Sequence, residues 1–268
     1  MRLGKSIPTF YNYKEDADRN EATFGKTPSF KFADDKINEC LRGGLAKPNA
    51  TNIILVYGAT GIGKSLVSLN ICASAIREKK KFALILLEDD ASEALIRLRK
   101  FIPEQQIYKS PHVILGEKDI KVKFTRREAL ELFEDLIVNQ GVDIIILDHI
   151  QFMFEATAES SENEWIRQRN FVQEINNLFK HYKKTLVLVS HIKKGDDFNL
   201  NSTTGSNALP QVATKALGIY RDKKGEMFLQ MSKSRYTQPY FKDIPIKFVN
   251  FELRYNDHLT DKKKETDK

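Results

Sequence analysis

Residues 58–65 read Gly-Ala-Thr-Gly-Ile-Gly-Lys-Ser, a complete G-x-x-x-x-G-K-[ST] loop, and no other stretch constrains the fold as much. The run before it, Asn52-Ile-Ile-Leu-Val-Tyr57, is apolar and β-branched, as a buried strand would be. After it, Leu66, Val67, Leu69, Ile71, Cys72, Ala75 and Ile76 follow a helical period. Strand, glycine-rich turn and helix in that order form the context in which the motif binds phosphate. Gly58, Gly61 and Gly63 let backbone N–H groups curl around an oxyanion, and the helix N-terminus adds its positive dipole end. The expected cradle is Gly58, Ala59, Thr60, Gly61, Ile62, Gly63, Lys64, Ser65 and Leu66. Lys64 would reach the β- and γ-phosphates and the Ser65 hydroxyl would ligate Mg²⁺, so ATP or another nucleoside triphosphate with Mg²⁺ is expected.

The chain continues as short apolar runs alternating with helical patterns. Phe82–Leu87, His112–Leu115, Asp143–Leu147 and Thr185–Val189 read as buried strands. Thr125-Arg-Arg-Glu128 and Ser161-Glu-Asn-Glu164 read as capping boxes that open helices. Continuously apolar strands joined by helices imply an α/β fold, a mainly parallel sheet covered on both faces. Beyond residue 216 the helices cease: Leu217–Tyr220, Met227–Met231 and Ile246–Leu253 read as strands separated by turns such as Asp222–Gly225. These are expected to add antiparallel edge strands at the C-terminal end. Residues 31–257 are expected to form the ATPase core, 1–30 an arm outside that core that could reach a neighbouring subunit, and 258–268 a charged, disordered tail.

Composition narrows the setting. With 41% hydrophobic and 29% charged residues the chain can bury a core. No run approaches the roughly 18 apolar residues of a membrane span, and the start lacks a secretory pattern. A cytoplasmic, non-secreted protein without a membrane partner is expected. Cys40 and Cys72 lack metal spacing and read as inert thiols. An excess of 43 Lys+Arg over 36 Asp+Glu is compatible with nucleic acid, although parts of it lie in Lys79–Lys81 and Lys262–Lys264.

Five further groups could carry chemistry. Asp148 closes a strand at the edge where ligands bind in parallel sheets, and it would share Mg²⁺ with Ser65. Glu88 directly follows another strand. It can orient the attacking water, or Glu88, Asp89 and Asp90 can together form a solvated acidic cap. His191 ends the strand from Thr185, where it senses the γ-phosphate or is merely polar. The sixteen residues 192–207 have little regular pattern, and such long loops serve function or are disordered. Lys193, Lys194, Gly205 and Ser206 in it could follow a phosphate backbone. Lys233 and Arg235 flank one small residue beyond Met231. They could face a neighbour's nucleotide or a solvated strand end.

Together these pieces resemble the RecA-like motor domain of hexameric replicative DNA helicases, the DnaB-like and phage or mitochondrial primase-helicase group. The resemblance runs from about Phe30 to Asn256. Phe32–Gly44 is similar to the helix and Gly-Gly pair ahead of the first strand, Ile85–Asp90 to the motif with the catalytic Glu, and Ile146–Ile150 to the Walker B strand. Val189-Ser-His191 matches the segment that couples the γ-phosphate to the DNA loops. Gly205-Ser-Asn-Ala-Leu-Pro-Gln211 resembles the single-stranded DNA contact, adding Asn207 and Gln211, although Pro210 interrupts it. Ser232–Thr237 resembles the strand end that supplies a Lys and an arginine finger in trans, here Lys233 and Arg235.

The resemblance implies a homo-oligomer, a hexameric ring on single-stranded DNA, that couples ATP hydrolysis to unwinding in replication. Lys64, Glu88, His191, Lys233 and Arg235 would be its catalytic groups. No primase or helical amino-terminal domain precedes the motor, so a separate primase or loader is an expected partner. A RecA-like ATPase of recombination or repair, or a loader without unwinding activity, would share every nucleotide residue.

Overall fold

The computed structural model describes residues 30–47, 50–116, 119, 125–151, 153, 163–192, 198–203, 208–235 and 242–259. Lys193, Lys194, Gly205, Ser206 and Asn207 lie outside the described residues, as do Ser161, residues 1–29 of the expected arm and 260–268 of the tail. In chain order the elements are α1 (Asp35–Cys40), β1 (Asn52–Gly58), α2 (Lys64–Arg77), β2 (Phe82–Leu86), α3 (Ala91–Leu98), α4 (Glu104–Lys109) and β3 (His112–Leu115). They continue with α5 (Arg126–Val138), β4 (Ile144–Asp148), α6 (Glu164–Tyr182), β5 (Thr185–His191), α7 (Ala208–Val212), β6 (Lys215–Arg221), β7 (Met227–Ser234), β8 (Ile244–Val249) and β9 (Glu252–Tyr255).

Among the described residues nine strands join one sheet in the order β3-β2-β4-β5-β1-β6-β7-β8-β9. Pairing is parallel from β3 through β6 and antiparallel from β6 through β9. This is the expected mainly parallel α/β sheet with antiparallel strands at its C-terminal end. The apolar runs are continuous because both faces are covered. Ile54 and Val56 of β1 join the core that includes α2, while Ile53, Leu55 and Tyr57 join the core that includes α5 and α6.

Three local expectations need correction. β3 is an edge strand and only half buried, so its apolar run covers one flank of the sheet rather than filling its centre. Ile246–Leu253 is not one strand: β8 and β9 form a hairpin, Val249 pairing with Glu252, with Asn250 and Phe251 at φ of 50° and 68° between them. Two positive φ values suit a two-residue hairpin turn. The Asn70 amide donates to Phe251 O at 2.9 Å and helps hold that turn without a glycine. Finally, α6 starts at Glu164 and is capped by Asn163, which accepts from Trp165 N at 3.0 Å, not by Ser161. The Thr125–Glu128 capping box forms as expected.

Long-range polar contacts tie the periphery to the sheet. Lys215 of β6 is buried and donates to Leu41 O and Gly44 O at 3.1 and 2.5 Å, which locks the segment after α1 onto the sheet. Burial lowers its pKa to about 8. Asn70 of α2 also accepts from Leu253 N at 2.9 Å, and Arg77 pairs with Glu252 at 2.6 Å, so the β8–β9 hairpin is fastened to the helix that follows the glycine loop.

Candidate active site

Register decides which side chains meet. Gly58 at the end of β1 stands opposite His191 of β5, and Leu86 of β2 opposite Asp148 of β4. Leu87 N donates to Asp148 O at 3.0 Å, which continues that pairing one residue past β2. The C-terminal ends of four parallel strands therefore bring Gly58, Glu88, Asp148 and His191 to one edge, the edge at which α/β sheets bind ligands.

The loop between β1 and α2 has the backbone its sequence demands. Gly61 and Gly63 adopt φ of 73° and 103°, in the left-handed region that glycine tolerates. A β-carbon at Gly58 would lie 2.5 Å from Ile219 O, so β6 packs too tightly for any side chain there. Phe248 of β8 crowds Gly63 on the other side, 2.9 Å from where a β-carbon would sit. The first N–H groups of α2 have no partner within the helix and face this loop.

Lys64 Nζ donates to Ala59 O at 2.7 Å and lies 2.9 Å from His191 Nδ1, so the ammonium folds across the loop. Thr60 Oγ1 is 3.2 Å from the same nitrogen. Burial lowers the Lys64 pKa to about 8, opposed by Asp148 and Glu88. Burial, then Lys64 and His149, lower that of His191 to about 4, leaving a neutral imidazole at pH 7.

Asp148 is almost wholly buried, and burial raises its pKa to about 6 against the pull of Ser65, Lys64 and Ser68. Its Oδ2 is buried without a hydrogen-bond partner among the described residues. An orphaned carboxylate oxygen beside a serine hydroxyl at a helix start fits a hard divalent cation such as Mg²⁺, which takes oxygen ligands and keeps part of its water shell.

Glu88 is exposed, and its Oε2 lies 3.2 Å from Nε2 of the buried His149. Burial, then Asp89, raise the Glu88 pKa, while Lys64 lowers it. The three acidic residues separate in role: Asp90 caps α3 by accepting from Ser92 N, and Asp89 pairs with Arg97 at 3.4 Å. Only Glu88 turns to the loop side. His149 carried no role in the sequence reading, although the pair Asp148-His149 at a strand end was a signal for it. Its ring meets His191 edge-on at 4.3 Å and so joins Glu88 to His191. Burial, then Lys64, lower its pKa to about 4.

Lys233 and Arg235 do not meet this cluster. They project from the end of β7, two strands from β1, and serve the end of α7. Lys233 Nζ donates to Pro210 O and Gln211 O at 2.6 and 3.3 Å, and the Arg235 guanidinium also donates to Gln211 O. Gln211 is exposed beside both cations.

Asp143 is structural: it accepts from Lys81 N and Lys184 Nζ. Cys40 and Cys72 form no disulfide, and burial pushes the Cys72 thiol far up. Among the described residues no helix is long and apolar enough to cross a membrane.

Comparison with known proteins places the chain among ATPases. The "DNA helicase/primase" of Enterobacteria phage T3 is 24% identical over 220 residues, which cover 69% of this chain and 38% of that protein. "DNA repair protein RadA" of Chlamydia trachomatis is 24% identical over 161 residues, 60% of this chain and 32% of that one. The chain thus spans about a third of the length of these curated relatives.

Two solved structures share the fold. One, an "ATPase Domain" solved on its own, matches with a TM-score of 0.70 at 13% identity, covering 91% of this chain and 97% of that one. The other, a KaiC-like protein of Pyrococcus horikoshii, matches with a TM-score of 0.67 at 14% identity, covering 86% and 98%. A family model described as "AAA domain" matches residues 45–197, more than half of the chain and every group of the cluster above. This chain belongs to that AAA-domain family of ATPases, and its fold is that of RecA-like ATPase domains.

Proposed function

We propose that the chain is an ATP-hydrolysing motor that assembles into a homo-hexameric ring, moves along single-stranded DNA and unwinds duplex during replication. The observation that carries this reading is the convergence of Lys64, Asp148, Glu88 and His191 on the glycine loop, with Lys233 and Arg235 held apart at the end of β7. On this reading one site holds the groups that bind and hydrolyse ATP within a chain, and the two cations held apart from it serve the nucleotide of a neighbouring protomer. The likeness to the phage T3 protein, named a helicase/primase, supports the same reading.

In this mechanism the loop amides and Lys64 hold the β- and γ-phosphates of ATP. The added negative charge draws the ammonium from Ala59 O and restores its full protonation. Ser65 and Asp148 would hold Mg²⁺, which would offset negative charge on the phosphates. Glu88, steadied by His149, orients the attacking water. His191, next to Lys64, responds to the presence of the γ-phosphate. Because β5 leads from His191 directly into residues 192–207, that response passes to the loop bearing Lys193, Lys194, Gly205, Ser206 and Asn207, and to Gln211 on α7. Arg235, with Lys233, stabilises the transition state in the neighbouring subunit. A separate primase or loader would act with the ring, in the cytoplasm or wherever that DNA is copied.

The test is steady-state ATP hydrolysis with and without single-stranded DNA, with Lys64→Ala as the blank. Strong stimulation that the blank lacks is expected; hydrolysis indifferent to DNA would remove the loop assignments. The likeness to RadA favours a second reading, a repair ATPase on DNA without unwinding. A forked-duplex assay separates the two, since only the first reading requires strand separation.

A further inference from the structure

Glu88, His149 and His191 also form a group of a different chemical kind. Each offers one ligand atom, and the three atoms lie within 4.8 Å of one another. Two imidazoles and a carboxylate are the donor set of zinc sites that keep a fourth position open. The spacing is close to what such an ion needs: with bonds of about 2.0–2.1 Å, neighbouring ligand atoms of a tetrahedron lie roughly 3.3 Å apart. Glu88 Oε2 and His149 Nε2 are already 3.2 Å apart, so one edge of the tetrahedron exists. The His149 side chain is only 7% exposed and therefore fixed, whereas Glu88 is 54% exposed and free to swing toward an ion. The imidazoles stand edge to face at 4.3 Å between centroids, so both rings border one small volume. Mg²⁺ does not compete for this set, because it prefers oxygen ligands in an octahedron. Late first-row ions bind nitrogen far better.

We propose that Glu88, His149 and His191 form a binding site for a tetrahedral transition-metal ion, Zn²⁺ foremost, separate from the Mg²⁺ position at Ser65 and Asp148. Occupied, the site removes Glu88 from water activation and His191 from the γ-phosphate, so Zn²⁺ arrests hydrolysis while excess Mg²⁺ is present. The inhibition rests on the roles proposed above; the binding does not. Lys64 is the competing cation, with Nζ 2.9 Å from His191 Nδ1. Removing its charge must therefore strengthen the metal site even as it destroys nucleotide binding.

The probe is Co²⁺ alone, added to the full nucleotide-free chain in excess Mg²⁺ and followed by visible absorption. One equivalent giving the intense bands of tetrahedral Co²⁺, displaced by Zn²⁺, is expected. The bands should vanish in His149→Ala and in His191→Ala, persist in His181→Ala on the exposed surface of α6, and appear at lower Co²⁺ in Lys64→Met. Should His149→Ala fail to fold, Glu88→Ala removes an exposed ligand and must abolish the bands. Weak octahedral bands only, tetrahedral bands that survive loss of either histidine or of Glu88, or weaker binding in Lys64→Met would overturn the site. Absent bands beside intact DNA-stimulated hydrolysis would sink the metal site and leave the motor standing. Normal bands in a chain whose hydrolysis ignores DNA would do the reverse.

Discussion

The glycine-loop edge and the end of β7 both gather charged side chains, but they are built to different degrees. At the loop, groups from β1, β2, β4 and β5 meet through strand register, and each ionisable group is perturbed mainly by burial, then by its neighbours. At β7, Lys233 and Arg235 donate to main-chain carbonyls at the end of α7, and Arg235 is exposed. Carbonyls cap the cations without neutralising them. The first region is organised within one chain. On the proposed reading, the second keeps its charge for an anion that comes from outside.

The largest expected effect tests that division directly. Arg235→Ala should bind nucleotide normally and lose turnover by about 10³–10⁵-fold, the range of an arginine finger. Glu88→Gln should lose about 10²–10⁴-fold, as for a general base. Mixing is the sharper readout: Arg235→Ala subunits should regain activity when combined with Glu88→Gln subunits, because each then supplies what the other lacks. Glu88→Gln combined with Lys64→Ala should stay inactive, since both lesions lie in the same site. No recovery in the first mixture would mean that Arg235 acts within its own chain, and recovery in the second would mean that Glu88 and Lys64 do not share a site.

The two regions were not equally legible in the sequence. The loop edge could be read because the strand–turn–helix pattern fixes geometry locally and each parallel strand ends in a residue at the ligand edge. What it hid was lateral contact: His149 follows Asp148 in the chain, but only the pairing of β2 with β4 brings it to Glu88. At β7 the spacing of Lys233 and Arg235 was visible, and their attachment to Gln211 was not, since the partners are 22 and 24 residues away and are carbonyls, which every residue has. The β8–β9 hairpin escaped for a similar reason. Its turn, Asn250-Phe251, contains no glycine or proline, and the Asn70 amide that holds it lies on α2.

β6 lies between the two regions, and its buried lysine gives the next effect. The Lys215 pKa is about 8 in the fold against 10.5 for the ordinary side chain. Between those values the unfolded chain binds more protons, so the lysine's contribution to stability must rise with pH from about 8 to 10.5. Denaturation of wild type and Lys215→Met across that range should show the difference shifting in favour of wild type by at most roughly 1.4 kcal/mol per pH unit. A difference that does not change with pH would place the lysine's proton outside the folding balance. Neither region's turnover chemistry should follow this titration.

Gly218 tests whether the regions communicate. The Tyr57 hydroxyl, one residue before the glycine loop, hydrogen-bonds Ser232, one residue before Lys233, and its ring crosses β6 at Gly218. A β-carbon there would lie 2.7 Å from the Tyr57 hydroxyl and would also strike Phe198, which stacks on Tyr57. Gly218→Ala should cost about 1–3 kcal/mol, the usual range for overpacking. It should also slow turnover in homogeneous rings more than it weakens nucleotide binding. Equal losses in both would make the crossing a packing feature alone.

The smallest effect is a control on the whole comparison. Thr125 caps α5, far along the chain from either region, through the reciprocal bonds of its capping box with Glu128. Thr125→Ala should cost about 1 kcal/mol and lower the melting temperature by roughly 2–4 °C for a chain of this size. Turnover per folded subunit should not change, and neither should recovery in the Arg235→Ala and Glu88→Gln mixture. If a lost cap on α5 depressed that recovery, assembly would be limited by general stability, and the mixing experiment would no longer separate a cation acting in trans from a ring that fails to form.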